Sequence, residues 1–313
     1  MIDIIIPCYN SNLINTLGSI LSQTILNELE VTLVNDGGNS YSEIIKDFSK
    51  YIKIKEIGYS ENRGVGYARN YGLKNTNNSL ITFIDSDDTF NSSYALQVLK
   101  DDLLSDPKNV ICSGKFREET RPFDLIPENS SVHLHGKMYK RSFLLNHNII
   151  FPNAKCNEDA VFNMMCKFYL SENEVLKLSN NIIYDWRYND NSIVRKDLDK
   201  FRDDISVTTY VENIIWLFNE MKNRNYNNNI ILNEKINCLI YCCLLHNLVK
   251  KRSPKYVDNN FKYFKMYYDT IFKDIENKVT PELFNDMYNK IPVKYRNDLV
   301  SINNINEFLK DLQ

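Results

Sequence analysis

No Cys-x-x-Cys pair occurs among the seven cysteines, and their number is odd. That argues against a disulfide framework; free thiols in a reducing compartment fit better. No charge of one sign dominates: 38 basic residues face 40 acidic ones, a formal net of −2. No global electrostatic argument for nucleic acid or an acidic membrane follows from that balance. No apolar run is long enough to span a bilayer; the longest, Ile236 to Val249, is broken by Asn and His. Neither the basic region nor the apolar core of a signal peptide precedes the opening Ile2-Asp3-Ile4-Ile5-Ile6-Pro7. The expectation is a soluble intracellular protein, cytoplasmic, or in a host's cytoplasm if viral. Glycine and proline are few while Asn, Lys, Ile and Tyr are many, a bias that points to an AT-rich genome and not to a function.

What is present is organised around Ile81-Thr82-Phe83-Ile84-Asp85-Ser86-Asp87-Asp88. A short apolar, β-branched and aromatic stretch suits a buried parallel strand. Three carboxylates follow where that strand should end, and open α/β sheets bind ligands at the carboxyl ends of their strands. Packed acids repel unless a cation neutralises them. Hard oxygen ligands suit Mg²⁺ or Mn²⁺, which commonly share coordination with phosphate oxygens. The plainer alternative is a polar turn capping a helix that starts near Ser92. Upstream, strands are expected at Ile4–Ile6, Glu30–Val34 and Ile52–Ile57, with the fourth over residues 80–84. Helical spacing at Leu13, Leu17, Ile20 and Leu21 and over Tyr41–Tyr51 separates them. Strands alternating with helices predict a parallel, doubly wound α/β sheet. Asp36 sits just past the second strand, on the rim expected to carry Asp85. A carboxylate there can accept hydrogen bonds from a nucleobase N–H or a ribose hydroxyl; before Gly37-Gly38 it can equally be a turn former. The Gly64-x-Gly66 loop lacks the third glycine of a dinucleotide fingerprint and follows the third strand, which argues against NAD.

Taken together, Ile4-Ile5-Ile6-Pro7-Cys8-Tyr9-Asn10, Val34-Asn35-Asp36-Gly37-Gly38, Asn62-Arg63-Gly64-Val65-Gly66-Tyr67-Ala68-Arg69-Asn70 and Phe83-Ile84-Asp85-Ser86-Asp87-Asp88 resemble glycosyltransferase family 2, inverting enzymes with the GT-A fold. Two departures are Gly38, where the family more often has Ser, and Asn35, where it often has Asp. The resemblance implies that Pro7, Tyr9 and Asp36 face a nucleobase. Asn10, Asn62 and Gly64 belong to the same nucleotide-sugar-binding loops. Arg69 is implied near the diphosphate, Asp85 on the ribose side, Ser86 at the variable position of the Asp-x-Asp motif, and Asp87, with Asp85, at the metal. The family logic agrees with physics: a sugar leaving a nucleoside diphosphate develops negative charge, and Mn²⁺ or Mg²⁺ stabilises it. Asp88 has no clear role beyond capping the next helix.

Farther on, Ser131 to Tyr139 reads as a strand followed by a helix, with His133 and His135 on one face of the strand. Phe151 to Phe162 carries Glu158-Asp159 ahead of the helical run Val161, Phe162, Met164, Met165 and Phe168. Acids at a helix start interact favourably with its dipole. The segment also resembles the family's Glu-Asp motif, which implies Asp159 as the base that takes the acceptor's proton and Glu158 as the fallback. Tyr184 to Ile193 resembles the family's late Arg-plus-Ser segment, with Arg187 a candidate for stabilising the diphosphate charge; a surface salt bridge is its plainer reading. From Lys196 onward only amphipathic helices are expected, over Phe201–Met221, Ile230–Lys250, Asn260–Lys273 and Pro281–Tyr288. There Cys238, Cys242 and His246 fall on one helical stripe, which is core spacing. Residues 250–273 interleave seven basic residues with aromatics. A solvated face over an aromatic core is the plain reading, and a surface for a polyanion is the functional one.

The expected organisation is a GT-A catalytic domain over 1–195 and a helical C-terminal domain over 196–313. The first splits into a nucleotide-sugar half, 1–100, and an acceptor half, 101–195. The expected activity is metal-dependent inverting transfer from a UDP-sugar to an acceptor hydroxyl, with a cell-envelope glycan or polymer as the acceptor. The alternatives are a viral DNA glycosyltransferase acting on hydroxymethylated bases and a degenerate nucleotide- or carbohydrate-binding module; oligomerisation is also open. A nucleotidyltransferase would need a Gly-rich basic loop after the first strand, where Pro7-Cys8-Tyr9-Asn10 stands.

Overall fold

The computed structural model describes residues 1–126, 132–154, 156–189, 197–226, 228–289 and 301–313. Of the positions named above, Ser131, Lys155 and 190–196 lie outside the described residues. The chain divides into two compact units, Met1–Asn189 and Asp190–Gln313.

The first unit opens with β1 (Ile2–Cys8), α1 (Ile14–Leu21), β2 (Leu29–Asp36), α2 (Ser42–Phe48), β3 (Lys53–Tyr59), α3 (Val65–Lys74) and β4 (Leu80–Phe83). All four strands run parallel, in the order β3-β2-β1-β4. The apolar runs expected to be strands are strands, and β1 is buried along its whole length because helices cover both faces. Next come β5 (Thr89–Phe90), α4 (Ala95–Leu104), β6 (Asn109–Glu118), β7 (Arg121–Ile126), β8 (Lys137–Lys140), α5 (Arg141–Asn146), α6 (Glu158–Tyr169) and β9 (Val175–Trp186). They extend the same sheet past β4 in the order β8-β6-β9-β5, with β7 on β6. β8 is antiparallel to both β4 and β6, so the sheet is mixed. Ile4, Ile6, Leu33, Leu96, Leu99 and Tyr184 belong to one apolar cluster beneath it.

Two expectations need correction. His133 and His135 precede the strand: Gly136, at φ +67°, turns the chain and β8 begins at Lys137. Their rings still share a side, stacked 5.8 Å apart. Asp88 does not cap α4, whose N-terminus has no side-chain cap; it is bound from another strand, as described below.

The described part of the second unit is helical, with Ser206–Asn223, Asn229–Arg252, Val257–Tyr267, Pro281–Asn289 and Ile302–Leu312 as its longer helices. Cys238, Cys242 and His246 are buried, and the His246 ring packs against Phe261, Phe264 and Phe308. Burial and Lys250 push that imidazole down to about 4. Phe264, Tyr267, Tyr268 and Phe272 point inward, while Lys250, Lys251, Lys255, Lys262 and Lys273 are exposed. One buried carboxylate ties the unit together. Asp203 accepts from Arg202 Nε (2.9 Å), Arg202 Nη2 (2.7 Å) and Ser253 Oγ (2.7 Å), with Arg252 Nη2 at 3.2 Å. Among the described residues, no helix is long and apolar enough to cross a membrane.

Candidate active site

Parallel pairing brings the carboxyl ends of β1, β2 and β4 to one rim, and the loops there interlock. Asp36, at the end of β2, is buried. Its Oδ1 accepts from the Arg63 N–H (2.7 Å) and its Oδ2 from the Gly64 N–H (3.0 Å). Gly64 stands at φ +90°, a conformation that favours glycine, and opens α3. Asn35 accepts from the Gly38 N–H (2.7 Å) and donates to Glu56 (2.7 Å), which shapes the turn behind Asp36. Asn10 Oδ1 accepts from the Asn39 N–H (2.9 Å). Pro7 lies buried in β1 opposite Val34. Tyr9 is 53% exposed, and Asn62 is exposed as well. Ser86 Oγ donates to Ser11 Oγ (2.7 Å), joining the loops after β4 and β1.

Arg69 connects this rim to the second half of the unit. Its side chain is 4% exposed; Nη2 donates to Asp85 Oδ1 (2.6 Å) and Nη1 to Glu158 Oε1 at the start of α6. Two features bring α3 and the 151–158 segment together. Asn70 and Phe151 exchange a reciprocal pair of hydrogen bonds, 2.8 and 2.9 Å. Gly66 lies so close that a Cβ there would stand 2.1 Å from the Pro152 carbonyl oxygen. The metal-motif and Glu-Asp segments, 73 residues apart in sequence, thus meet on one guanidinium.

The acidic rim is not uniform. Burial opposes the Asp85 charge, but Arg69 and then His135 outweigh it and hold the carboxyl well below the usual range. Asp88 is 1% exposed, and burial followed by the charges of Asp85 and Asp87 pushes it well up. Both its oxygens are occupied: Oδ2 accepts from the Tyr184 hydroxyl (2.6 Å) and Oδ1 from the Arg187 N–H (2.7 Å). Asp88 therefore anchors β9 to the rim. Asp87 is half-buried, and its Oδ2 accepts from Asn189 Nδ2 (2.7 Å). Arg187 turns its guanidinium outward, 3.4 Å from Glu119. His135 lies flat on Tyr184, with centroids 4.5 Å apart, and its buried Nδ1 has no partner among the described residues. Its Nε2 is 3.6 Å from Asp85 Oδ2 and 3.9 Å from Asp88 Oδ2. One ligand atom from each of Asp85, Asp88 and His135 falls within 4.8 Å of the others, a set able to hold a metal ion.

Glu158 and Asp159 open α6 and differ in their surroundings. Glu158 is buried and paired, and burial pushes it up to about 7 against the pull of Arg69. Asp159 is half-buried, accepts from the Ala160 N–H (2.8 Å), and is also raised by burial. His135, Lys137 and Tyr184 were not among the candidate residues read from the sequence. His133 and His135 had been read as two side chains on one face of a strand, and the Tyr184-Asp185-Trp186-Arg187 run had drawn attention for its arginine.

The sequence profile described as Glycosyl transferase family 2 matches residues 3–159. The chain is 26% identical over 220 residues to an uncharacterized glycosyltransferase, EpsJ, of Bacillus subtilis, covering 62% of each. It is 28% identical over 199 residues to the poly(ribitol-phosphate) beta-N-acetylglucosaminyltransferase TarS of Staphylococcus aureus, covering 58% of this chain and 34% of that protein. The matches thus span less than two thirds of either relative. A crystal structure of S. aureus TarS 1-349 with UDP-GlcNAc superposes with a TM-score of 0.62 at 17% identity, over 99% of this chain and 88% of that one. The mannosyltransferase PcManGT from Pyrobaculum calidifontis, in complex with GDP-Man and Mn2+, gives 0.55 at 13%, over 99% and 86%. These likenesses show a GT-A-type fold, and with a profile match over half its length the chain belongs to glycosyltransferase family 2.

Proposed function

We propose that this protein transfers a sugar from a UDP-sugar to an acceptor hydroxyl, with inversion at the anomeric carbon. The observation that carries this reading is Arg69, which gathers the Asp85 rim and the Glu158-Asp159 helix start around one buried cation. The loops bearing Pro7, Tyr9, Asn10, Asp36, Asn62, Gly64 and Ser86 bind the nucleotide sugar in this reading. Solved structures with similar folds carry UDP-GlcNAc or GDP-Man, which supports such a donor. Residues 1–100 then form the donor half, 101–195 the acceptor half, and 196–313 a helical domain.

A divalent ion, Mn²⁺ or Mg²⁺, fits the rim's oxygen-rich donor set. Asp87 and Asp85 would hold it: Asp87 is half-buried with one oxygen bonded by Asn189, whereas both Asp88 oxygens are committed to Tyr184 and Arg187. Such an ion supplies charge stabilisation for the leaving diphosphate. Asp159 is the base and Glu158 is not, because Glu158 is buried and paired with Arg69 while Asp159 is only half-buried and has no ion pair among the described residues. Glu158 keeps Arg69 aligned, and Arg187 lies at the edge of the diphosphate site. The acceptor class is a phosphate-bearing envelope polymer. The TarS relative is named for poly(ribitol-phosphate), and the exposed lysines between 250 and 273 suit a phosphate-bearing polymer.

Donor hydrolysis across a panel of nucleotide sugars with Mn²⁺ tests the reading, with Asp87→Ala and Asp159→Asn beside the native chain. One donor should turn over, and Asp159→Asn should lose about 10²–10⁴-fold in rate. Undiminished turnover in Asp159→Asn would overturn the base assignment. Calorimetry showing no binding of any donor would overturn the transferase reading and favour a module that has lost catalysis.

A further inference from the structure

Tyr184 lies near the end of β9 and is fully buried. Its backbone is paired on both sides, with Phe90 of β5 and Phe116 of β6. Its ring is fixed as well: it lies flat on the His135 imidazole, with centroids 4.5 Å apart, and meets the Phe90 ring edge-on at 6.4 Å. A phenol held this way delivers its hydroxyl to one place, the turn that follows β4. There the hydroxyl accepts from the Asp85 N–H (3.2 Å) and donates to Asp88 Oδ2 (2.6 Å). A hydroxyl carries one proton, so accepting from the amide leaves that proton for the carboxylate. The Asp88 N–H in turn donates to the Asp85 carbonyl (3.1 Å). Tyr184 thus braces the first and last residues of the turn from 96 positions away in sequence. Between them, the Ser86 carbonyl accepts from Thr16 Oγ1 (2.9 Å) and Asp87 accepts from Asn189.

We propose that Tyr184 is a positioning residue whose hydroxyl holds the Asp85–Asp88 turn in the shape that offers Asp85 and Asp87 to a divalent ion. The inference rests on the reading of those two residues as the ion's holders and names what sets their geometry. Carboxylates at 85, 87 and 88 repel one another, and a turn that carries all three tends to spread. Arg69 already offsets one of the charges through Asp85. A second cation in the protein would draw the turn together but weaken its attraction for a metal. The neutral hydroxyl of Tyr184 fixes the shape and leaves the negative charge for the ion. Its geometry is set by the sheet and by the His135 and Phe90 rings, so the brace is in place before any ion arrives. Groups that orient metal-holding side chains in this way commonly govern the affinity of the site.

Tyr184→Phe removes one oxygen and keeps the ring on His135. Mn²⁺ is titrated into the chain in the presence of UDP, and the free ion is read by electron paramagnetic resonance. The variant should bind Mn²⁺ about 10- to 100-fold more weakly than the native chain. Leu99→Ala, a core truncation on α4 that leaves the hydroxyl untouched, should bind Mn²⁺ as the native chain does. In donor hydrolysis the Mn²⁺ concentration for half-maximal rate should rise by the same factor in Tyr184→Phe, with kcat regained at saturating Mn²⁺. Unchanged Mn²⁺ affinity in folded Tyr184→Phe would overturn the proposal. An equal loss in Leu99→Ala would overturn it too, because general loosening would then account for the effect. A measurement on the native, metal-free chain serves if the variant does not fold: the Asp85 amide should exchange with solvent about 100-fold or more below the rate of an open loop. Exchange at the open-loop rate would overturn the brace. No Mn²⁺ binding by the native chain would instead overturn the metal reading, and the proposal with it.

Discussion

Glu158→Gln isolates a pH-dependent term in stability whose sign and size follow from the site. Burial raises the Glu158 carboxyl from an ordinary 4.5 to about 7, although Arg69 is bonded to it. A carboxyl raised in the folded state binds its proton more tightly there than in the unfolded chain. The stability it contributes is fully present below pH 4.5 and is lost as pH rises through 7. At about 1.36 kcal/mol per unit, the full window is worth about 3 kcal/mol, most of it between pH 5 and 8. Gln carries no titrating proton and keeps the side-chain length. Urea unfolding of both proteins at a series of pH values measures the effect, because groups common to both cancel in the difference. Native-minus-variant stability should fall by about 2–3 kcal/mol from pH 5 to pH 8. A flat difference would refute the assignment of burial as the dominant effect. A difference that rises with pH would mean that Arg69 governs Glu158 and holds it ionised.

Gly66→Ala would drive a methyl group into the Pro152 carbonyl and part α3 from the 151–158 segment. The expected loss is about 1–3 kcal/mol, read as a lowered melting temperature; an unchanged one would deny the close approach. Asp203→Ala removes the acceptor shared by Arg202, Arg252 and Ser253 in the helical unit. Both arginines are about one-third exposed and remain hydrated, so the loss should be about 2–3 kcal/mol, below that of a fully buried pair. Urea unfolding checks it, and a loss under about 0.5 kcal/mol would reduce the network to an ordinary surface feature.

Each element that was legible in the sequence carried its own local signal. The strands ending at Cys8, Asp36 and Phe83 are apolar runs bounded by polar loops, the one ending at Tyr59 alternates polar with apolar residues, and parallel topology follows from the helices between them. β6 and β9 gave no such signal. β9 alternates poorly, holds Asn180-Asn181, and pairs with β6 through shifted registers, so its place in the sheet depends on its partner. Helices in the second unit extend a few residues beyond their expected ends, as caps and one-turn π-helical segments at 201–205 and 268–272 adjust them.

By itself the sequence determined the strand–helix alternation, the order of the motifs and the chemical types they bring: carboxylates on a rim, acids at a helix start, one arginine between. These are properties of neighbouring residues and of periodicity. Only the tertiary structure decided how those groups divide their roles. Arg69 meets Glu158 across 89 positions, and Tyr184 reaches Asp88 across 96. Strand order and helix packing set those distances. Burial, a property of the packed whole, then separates one carboxylate that stays charged from neighbours that are pushed toward protonation.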